Sequence, residues 1–171
     1  RLLFGLDRSD SGELVVDGRR TRFDSPVQAI RHGLAMCPEE RKHDGIVELT
    51  NNITTGETFL IDARQGATFN APALRNLSGN NIVTAQVQGQ TGGNQYNIES
   101  QAGLLTLQGG FALVSGATGA RDLKLMGAGN GIVSGAIVNG TGIVNVNKVG
   151  TGIWTLSGVN TNTGNTNIQE G

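Results

Sequence analysis

The sequence predicts a mainly β protein, in which a small α+β fragment over residues 1–50 precedes a β-solenoid over about residues 51–171. The first supporting observation is a change of composition near residue 50. Residues 1–50 contain 17 charged residues, residues 51–171 contain 10, and all 16 Asn lie in the second part. The second observation is a short apolar motif that recurs in that part. Because one fold rarely changes composition so abruptly, we predict two domains, with a boundary between Val47 and Thr54.

The first fifty residues predict a mixture of helix and strand. The expected segments are the end of an apolar helix over Arg1–Leu6, strands over Glu13–Asp17 and Arg19–Phe23, a helix that begins at Pro26, and a strand over Leu34–Cys37. Asp17-Gly18 is a hairpin signal, because both residues tolerate the positive φ of a tight turn. Ser25 is a suitable N-cap, and Pro26 suits the first helical position.

After residue 51 the pattern apolar-x-Leu-x-Gly occurs three times. The copies are Leu105–Gly109, Leu123–Gly127 and Trp154–Gly158, and an alternating run, Ile143–Val146, lies in the longer gap between the last two. Alternation directs successive side chains to opposite faces of a strand, so that one face can be buried. Short strands at a repeat of about twenty residues are typical of a solenoid, whose rungs stack on their neighbours.

The scarcity of aromatic residues also favours a solenoid. Its narrow interior can be filled by Leu, Ile and Val stacked rung on rung, and polar faces can carry Asn and Thr ladders that hydrogen-bond along the axis. A β-sandwich would also contain short strands and Gly-rich turns, and it stays open as an alternative at this point.

Composition and missing motifs argue against most catalytic and charge-driven functions. A net charge of −1 argues against nucleic acid or an anionic membrane as a partner, and no apolar run reaches the roughly 20 residues of a membrane-spanning helix. We interpret the single Cys37 as a core residue, and His32 and His43 as solvated. Asp62 and Asp122, the only Asp residues after residue 51, are too few for a carboxylate-built hydrolase or lyase site. We therefore predict no catalytic residue, no metal site and no cofactor.

A set of short strings connects the segment 1–48 to a known family. They are Leu3-Phe-Gly-Leu-Asp7, Ser11-Gly-Glu13, Val16-Asp-Gly18, Ser25-Pro26, Ala29-Ile30, Cys37-Pro-Glu-Glu-Arg-Lys42 and Asp44-Gly45. In this order they resemble the second nucleotide-binding domain of sugar-importing ABC ATPases, in the part that follows the phosphate-binding loop. The resemblance implies that Glu39 and Glu40 lie at the Q-loop position, with Glu39 in place of the usual Gln. It also implies that the parent domain contacted a membrane permease.

The parts that ATP hydrolysis needs are missing from the sequence. No Gly-Lys pair occurs, so there is no phosphate-binding loop, and no apolar strand ends in an Asp-Glu pair. Asn76-Leu-Ser-Gly79 resembles the family's Leu-Ser-Gly-Gly signature. The second Gly is absent, however, and alternating apolar residues follow instead of a helix, so we interpret it as a chance match. The resemblance therefore implies an inactive fragment.

The C-terminal segment 148–171 carries a second resemblance. Lys148-x-Gly-x-Gly152, Leu156-Ser-Gly-x-Asn160 and Gly164-x-Thr166, closed by Gly171, closely resemble the autotransporter-associated β-strand repeat, with Asn162 in place of its usual Tyr. A weaker match reaches back to about residue 95. The resemblance implies a right-handed parallel β-helix in a surface-displayed or secreted bacterial passenger. We interpret Trp154 as a packing residue rather than a carbohydrate platform.

Two functions follow from these resemblances. The first is a non-catalytic stalk or adhesive solenoid at the cell surface or outside the cell, joined as a chimera to an inactive ABC fragment; its surface or carbohydrate ligands are unknown. The second is a fragment of the ATP-binding subunit of a monosaccharide importer, at the cytoplasmic face of the inner membrane. Nucleotide affinity distinguishes the two.

Overall fold

The structure, a computed structural model, describes residues 12–16, 18–31, 46–63 and 70–170. The chain divides into two compact units, Arg1–Asp44 and Gly45–Gly171. The second unit includes the strand Val47–Leu49, so the solenoid begins slightly before residue 51.

The first unit contains the predicted hairpin. β1 (Leu14–Val16) pairs antiparallel with β2 (Arg19–Thr21), and Gly18 in the turn has a φ of 74°. The strands are shorter than the sequence predicts, but their antiparallel pairing on either side of Gly18 is confirmed. Of the other predicted segments, Arg1–Leu6 and Leu34–Cys37 lie outside the described residues.

A single short helix follows the hairpin in the described part of this unit. α1 spans Pro26–Arg31, as the N-cap signal predicts. The carbonyl of Ser25 accepts hydrogen bonds from the backbone N–H groups of Gln28 and Ala29, at 3.1 and 3.4 Å. Buried Phe23 and Ala29 form a small core with β1.

The second unit is a parallel β-solenoid of about five turns, built from three sheets. The six-stranded sheet contains β3 (Val47–Leu49), β6 (Leu74–Asn76), β9 (Gln95–Ser100), β12 (Ala120–Met126), β14 (Ile143–Lys148) and β16 (Thr166–Ile168). The five-stranded sheet contains β4 (Thr54–Thr55), β7 (Asn80–Val83), β10 (Leu104–Leu107), β13 (Asn130–Val133) and β15 (Trp154–Leu156). The three-stranded sheet contains β5 (Leu60–Ile61), β8 (Val87–Gly89) and β11 (Phe111–Leu113). The predicted solenoid is confirmed, and the parallel pairing excludes the β-sandwich alternative.

Most rungs are longer than the repeat that the sequence suggests. Hydrogen-bonded side chains at equivalent positions of neighbouring rungs in the six-stranded sheet show the step along the chain. The sequence separation is 27 for Glu48 and Arg75, 24 for Arg75 and Glu99, 23 for Asp122 and Asn145, and 20 for Asn147 and Asn167. Only the last step has the predicted length, because the turns between strands vary in length.

The three copies of the apolar-x-Leu-x-Gly motif do not stack on one another. Leu105–Gly109 and Trp154–Gly158 begin in the five-stranded sheet, whereas Leu123–Gly127 begins in the six-stranded sheet. The residues that stack between the first and last copies are Gly131–Val133 of β13. The spacing of the copies is unequal because they come from two different sheets. The motif identifies a strand that ends at a corner, and it does not give the length of a turn.

Stacked aliphatic side chains fill the solenoid, as predicted. Leu74, Ile98, Leu105 and Leu107 are fully buried, and Leu125 is 1% exposed. Burying a side chain of this size stabilises the fold by about 1.5–3 kcal/mol. Each strand directs alternate residues inward, and these side chains fill the narrow interior of the solenoid.

Two aromatic rings are in contact in the interior. The rings of fully buried Tyr96 and Phe111 lie with their centroids 5.5 Å apart. The Tyr96 hydroxyl donates to the carbonyl of Gln90 at 2.5 Å. A Cβ on Gly89 would lie 2.8 Å from the Tyr96 ring, so the pair fits only because residue 89 has no side chain.

Candidate functional site

The residues at the Q-loop-like position, Glu39 and Glu40, lie outside the described residues. The same is true of Cys37, His32 and His43. Their interpretations stay predictions, so a candidate site must be built from the solenoid. In the described part of the chain, no group of three or more His, Cys, Asp or Glu side chains could hold a metal ion. Nor is any helix in that part long and apolar enough to span a membrane.

The signature-like stretch Asn76–Gly79 forms a corner of the solenoid. It connects β6 to β7, and Gly79 has a φ of 79°, which favours glycine. Fully buried Asn76 donates from Nδ2 to the carbonyl of Ala102 at 2.7 Å, on the next rung. Buried Asn81 accepts from the N–H of Ile53 at 2.6 Å, on the preceding rung. A strand, β7, follows the Ser-Gly pair. The side-chain amides of Asn76 and Asn81 connect neighbouring rungs.

Trp154 lies on the inward row of the five-stranded sheet. It pairs in register with Gly131 and packs against the core. A Cβ on Gly131 would lie 2.3 Å from the Trp154 ring, so the indole covers the space that the missing side chain leaves. The buried Nε1 has no hydrogen-bond partner among the described residues. This position supports the packing interpretation of Trp154.

The outer face of the six-stranded sheet carries paired charges. Arg75 Nε lies 2.6 Å from Glu99, and its Nη1 lies 3.2 Å from Glu48, so one guanidinium connects three rungs. Burial alone would lower the pKa of Arg75, but the hydrogen bonds and charges of Glu99 and Glu48 outweigh it and hold the pKa above its usual range. These charges are largely satisfied by one another.

Polar ladders follow on the same face toward the C-terminus. Asn145 donates to Asp122 at 2.9 Å and accepts from the N–H of Asn165 at 3.0 Å. Asn167 donates to Asn147 at 2.9 Å. The predicted Asn ladders along the axis are therefore present here.

The outer face of the five-stranded sheet is different, because its five strands contain no charged residue. Its central outward row is Thr54, Ile82, Thr106, Ile132 and Thr155. The residues that directly follow four of these strands are exposed and polar: Thr84, Gln108, Ser134 and Ser157. We call these two rows together the neutral face. Each of its residues is partly or fully exposed.

Sequence reasoning missed the neutral face and the corner amides. Alternation predicts the strands, but the location of the charged strand residues in one sheet depends on which strands share a sheet. No separate signal is present in the sequence, because the uncharged stretches 76–98, 100–120, 125–147 and 149–169 also include strands of the other two sheets.

Comparison with known proteins gives partial likenesses. No protein-family model matches the chain, and no solved structure matches it. The arabinose import ATP-binding protein AraG 2 of Burkholderia thailandensis is 32% identical over 109 residues, which cover 57% of this chain and 21% of that protein. AraG of Rhizobium meliloti is 50% identical over 48 residues, covering 28% of this chain and 9% of that protein. AraG 1 of Burkholderia ambifaria is 45% identical over 51 residues, covering 30% and 10%.

Part of the chain is thus similar to the ATP-binding subunits of sugar ABC importers. The chain spans only about a tenth to a fifth of the length of these relatives. A match covering 57% of a 171-residue chain cannot fit within residues 1–50, so the likeness to AraG 2 extends beyond the stretch recognised from sequence. This longer alignment has a lower identity than the shorter alignments with the other two relatives.

Proposed function

We propose that this chain is a non-catalytic structural segment, in which a β-solenoid of autotransporter type is joined to an inactive ABC ATPase fragment. The observation that carries the proposal is the stacked aliphatic interior of the five-turn solenoid. An interior filled in this way gives mechanical continuity along the axis and leaves catalysis to surface groups. The repeat-like residues Lys148–Gly171 support a surface-displayed or secreted passenger as the setting.

The second candidate is a fragment of the ATP-binding subunit of a sugar importer. The partial identity to arabinose import ATP-binding proteins favours it. In this setting the chain would lie at the cytoplasmic face of the inner membrane and contact a permease. Without a phosphate-binding loop, however, it lacks the backbone N–H groups and the Lys that hold nucleotide phosphates.

Titration of the full chain with a fluorescent ATP analogue and Mg²⁺ distinguishes the two candidates. We expect no saturable binding at micromolar analogue. Micromolar binding that unlabelled ATP displaces would overturn the structural proposal. Two variants then locate such binding: Glu39→Ala should weaken it if the Q-loop-like position is used, whereas Glu57→Ala, on the solenoid, should leave it unchanged.

A further inference from the structure

The sequence contains two Asn-Gly pairs, and the structure holds them in different ways. Asn130-Gly131 lies in β13, where the N–H of buried Gly131 donates to the carbonyl of Ile153 at 2.8 Å. Asn139-Gly140 lies at the corner that precedes β14, and Gly140 is exposed, with a φ of 69°. The N–H of Gly140 has no hydrogen-bond partner among the described residues. Because glycine has no side chain to block the approach, its backbone nitrogen can attack the preceding Asn side chain.

The side-chain amide of Asn139 is held by the corner and by the last rung. Its Oδ1 accepts from the backbone N–H groups of Val144 and Thr163, at 3.0 and 3.1 Å. Its Nδ2 donates to the hydroxyl of Thr163 at 2.8 Å. Two N–H donors on one carbonyl oxygen stabilise the negative charge that forms when a nucleophile adds to the carbonyl carbon. For Asn130 the structure describes one such donor, the N–H of Ile153 at 3.0 Å.

We propose that Asn139 is a self-modification site, which the folded solenoid converts to aspartate or isoaspartate. The Gly140 nitrogen loses its proton to solvent and forms a bond to Cγ of Asn139. The bond between Cγ and Nδ2 breaks, and Nδ2 takes up a proton and leaves as ammonia. Water then opens the resulting five-membered succinimide at either of its two carbonyl groups. The inference goes beyond the proposed structural role and does not depend on it.

The two donors act at the atom where negative charge develops. As the Gly140 nitrogen adds to Cγ, that charge collects on Oδ1, to which Val144 and Thr163 already donate. In enzymes one such donor changes the rate by about 10²–10³-fold. Water screens this partly exposed corner, so we expect Asn139 to react about tenfold faster than Asn130.

The products change the contact between the last two rungs, since Thr163 follows Asn139 by 24 residues. Aspartate can accept from the same two N–H groups, but its carboxylate cannot donate to the Thr163 hydroxyl. Isoaspartate also adds one atom to the backbone at a crowded position. A Cβ on Gly140 would already lie 2.2 Å from the carbonyl oxygen of Leu113. We therefore expect isoaspartate to loosen the last rung.

Peptide mass spectrometry of the full chain, incubated in native buffer and in guanidinium chloride, tests the proposal. In native buffer we expect conversion of Asn139 to be about tenfold faster than conversion of Asn130, with release of ammonia. Guanidinium chloride removes the contacts of both pairs, so the two rates should become similar. Conversion of Asn139 should then be slower than in native buffer.

Two variants assign the released ammonia to its source. Asn139→Gln should abolish most of the release, because attack on the longer side chain would have to form a six-membered ring. Asn130→Gln is the matched control and should leave conversion of Asn139 unchanged. The proposal is overturned if Asn130 reacts as fast as Asn139 in native buffer. It is also overturned if unfolding accelerates conversion of Asn139, and this comparison needs no variant to fold.

Discussion

The hairpin of the first unit and the rungs of the solenoid pair their strands in opposite ways. β1 and β2 are antiparallel and are joined by a tight turn at Gly18, so all their pairing is local. Each solenoid strand instead pairs in parallel with strands of the neighbouring rungs, as Thr54 does with Ile82. The hairpin therefore depends on its turn, whereas the solenoid depends on the fit of each residue to its equivalents on the rungs above and below.

The largest expected difference concerns buried side chains. Leu105→Ala removes a fully buried side chain from the row it shares with Asn81 and Gly131, and should lower the free energy of unfolding by about 2–5 kcal/mol. Urea denaturation followed by the fluorescence of Trp154, the only tryptophan, measures it. Val15→Ala in the hairpin, where Val15 is 51% exposed, should change stability by less than about 0.5 kcal/mol. A loss below about 1 kcal/mol for Leu105→Ala would contradict the stacked interior.

Two glycines with the same backbone conformation sharpen the comparison. Gly18 and Gly110 have φ values of 74° and 71°, so alanine is strained at both, at about 1–2 kcal/mol. A Cβ on Gly18 would meet open space, whereas one on Gly110 would lie 2.0 Å from the carbonyl oxygen of Ala136. Gly110→Ala should therefore cost about 1–3 kcal/mol more than Gly18→Ala.

Different measurements suit the two glycine variants. Urea denaturation reports Gly110→Ala through Trp154, and hydrogen exchange of the β1 and β2 amides reports Gly18→Ala. Equal costs would show that the rungs separate to accommodate the methyl group, and would refute the close stacking.

The smallest expected effect is the pH dependence of the contribution that Tyr96, the only tyrosine, makes to folding stability. Burial raises the pKa of its hydroxyl above the ordinary value of 10.0, an effect that Arg121 opposes and Asp62 supports. The pKa of Tyr96 is thus higher in the folded state than in the unfolded state. The contribution of Tyr96 to stability is therefore present below pH 10 and is lost as the pH rises through the folded-state pKa. Tyr96→Phe should cost about 1 kcal/mol at pH 7 through the lost hydrogen bond to Gln90.

The stability difference between Tyr96→Phe and the unaltered chain should narrow as the pH rises above 10. Urea denaturation at pH 7 and pH 10.5 measures this, and both proteins share the same Lys residues, whose titration cancels in the difference. A difference that stays constant between the two pH values would mean that Tyr96 does not titrate differently on folding.

Local signals predicted local structure well. Asp17-Gly18 and Ser25-Pro26 gave the hairpin and the start of α1, because turn and cap preferences act over a few residues. The alternation of Leu105-Thr106-Leu107 gave the correct inward and outward sides. The repeat length was wrong because Leu123–Gly127 has the same local pattern as Leu105–Gly109 but lies in another sheet.

The candidate site was harder to predict. Asn76 and Asn81 look like ordinary turn residues in the sequence, and only the stacking places them, fully buried, between three rungs. The neutral face needs the register of five strands that are distant in sequence. Turns of unequal length set this register, and alternation does not reveal it.

By itself, the sequence determined the β class of residues 51–171, the direction of each side chain along a strand, and the hairpin and helix of the first unit, since each depends on neighbouring residues. Only the tertiary structure decided which strands stack, where Trp154 packs, and that the charged strand residues share one sheet. The physical reason is that parallel pairing joins residues that are far apart along the chain. The register of Thr106 between Ile82 and Ile132 is therefore fixed by the packing of whole rungs.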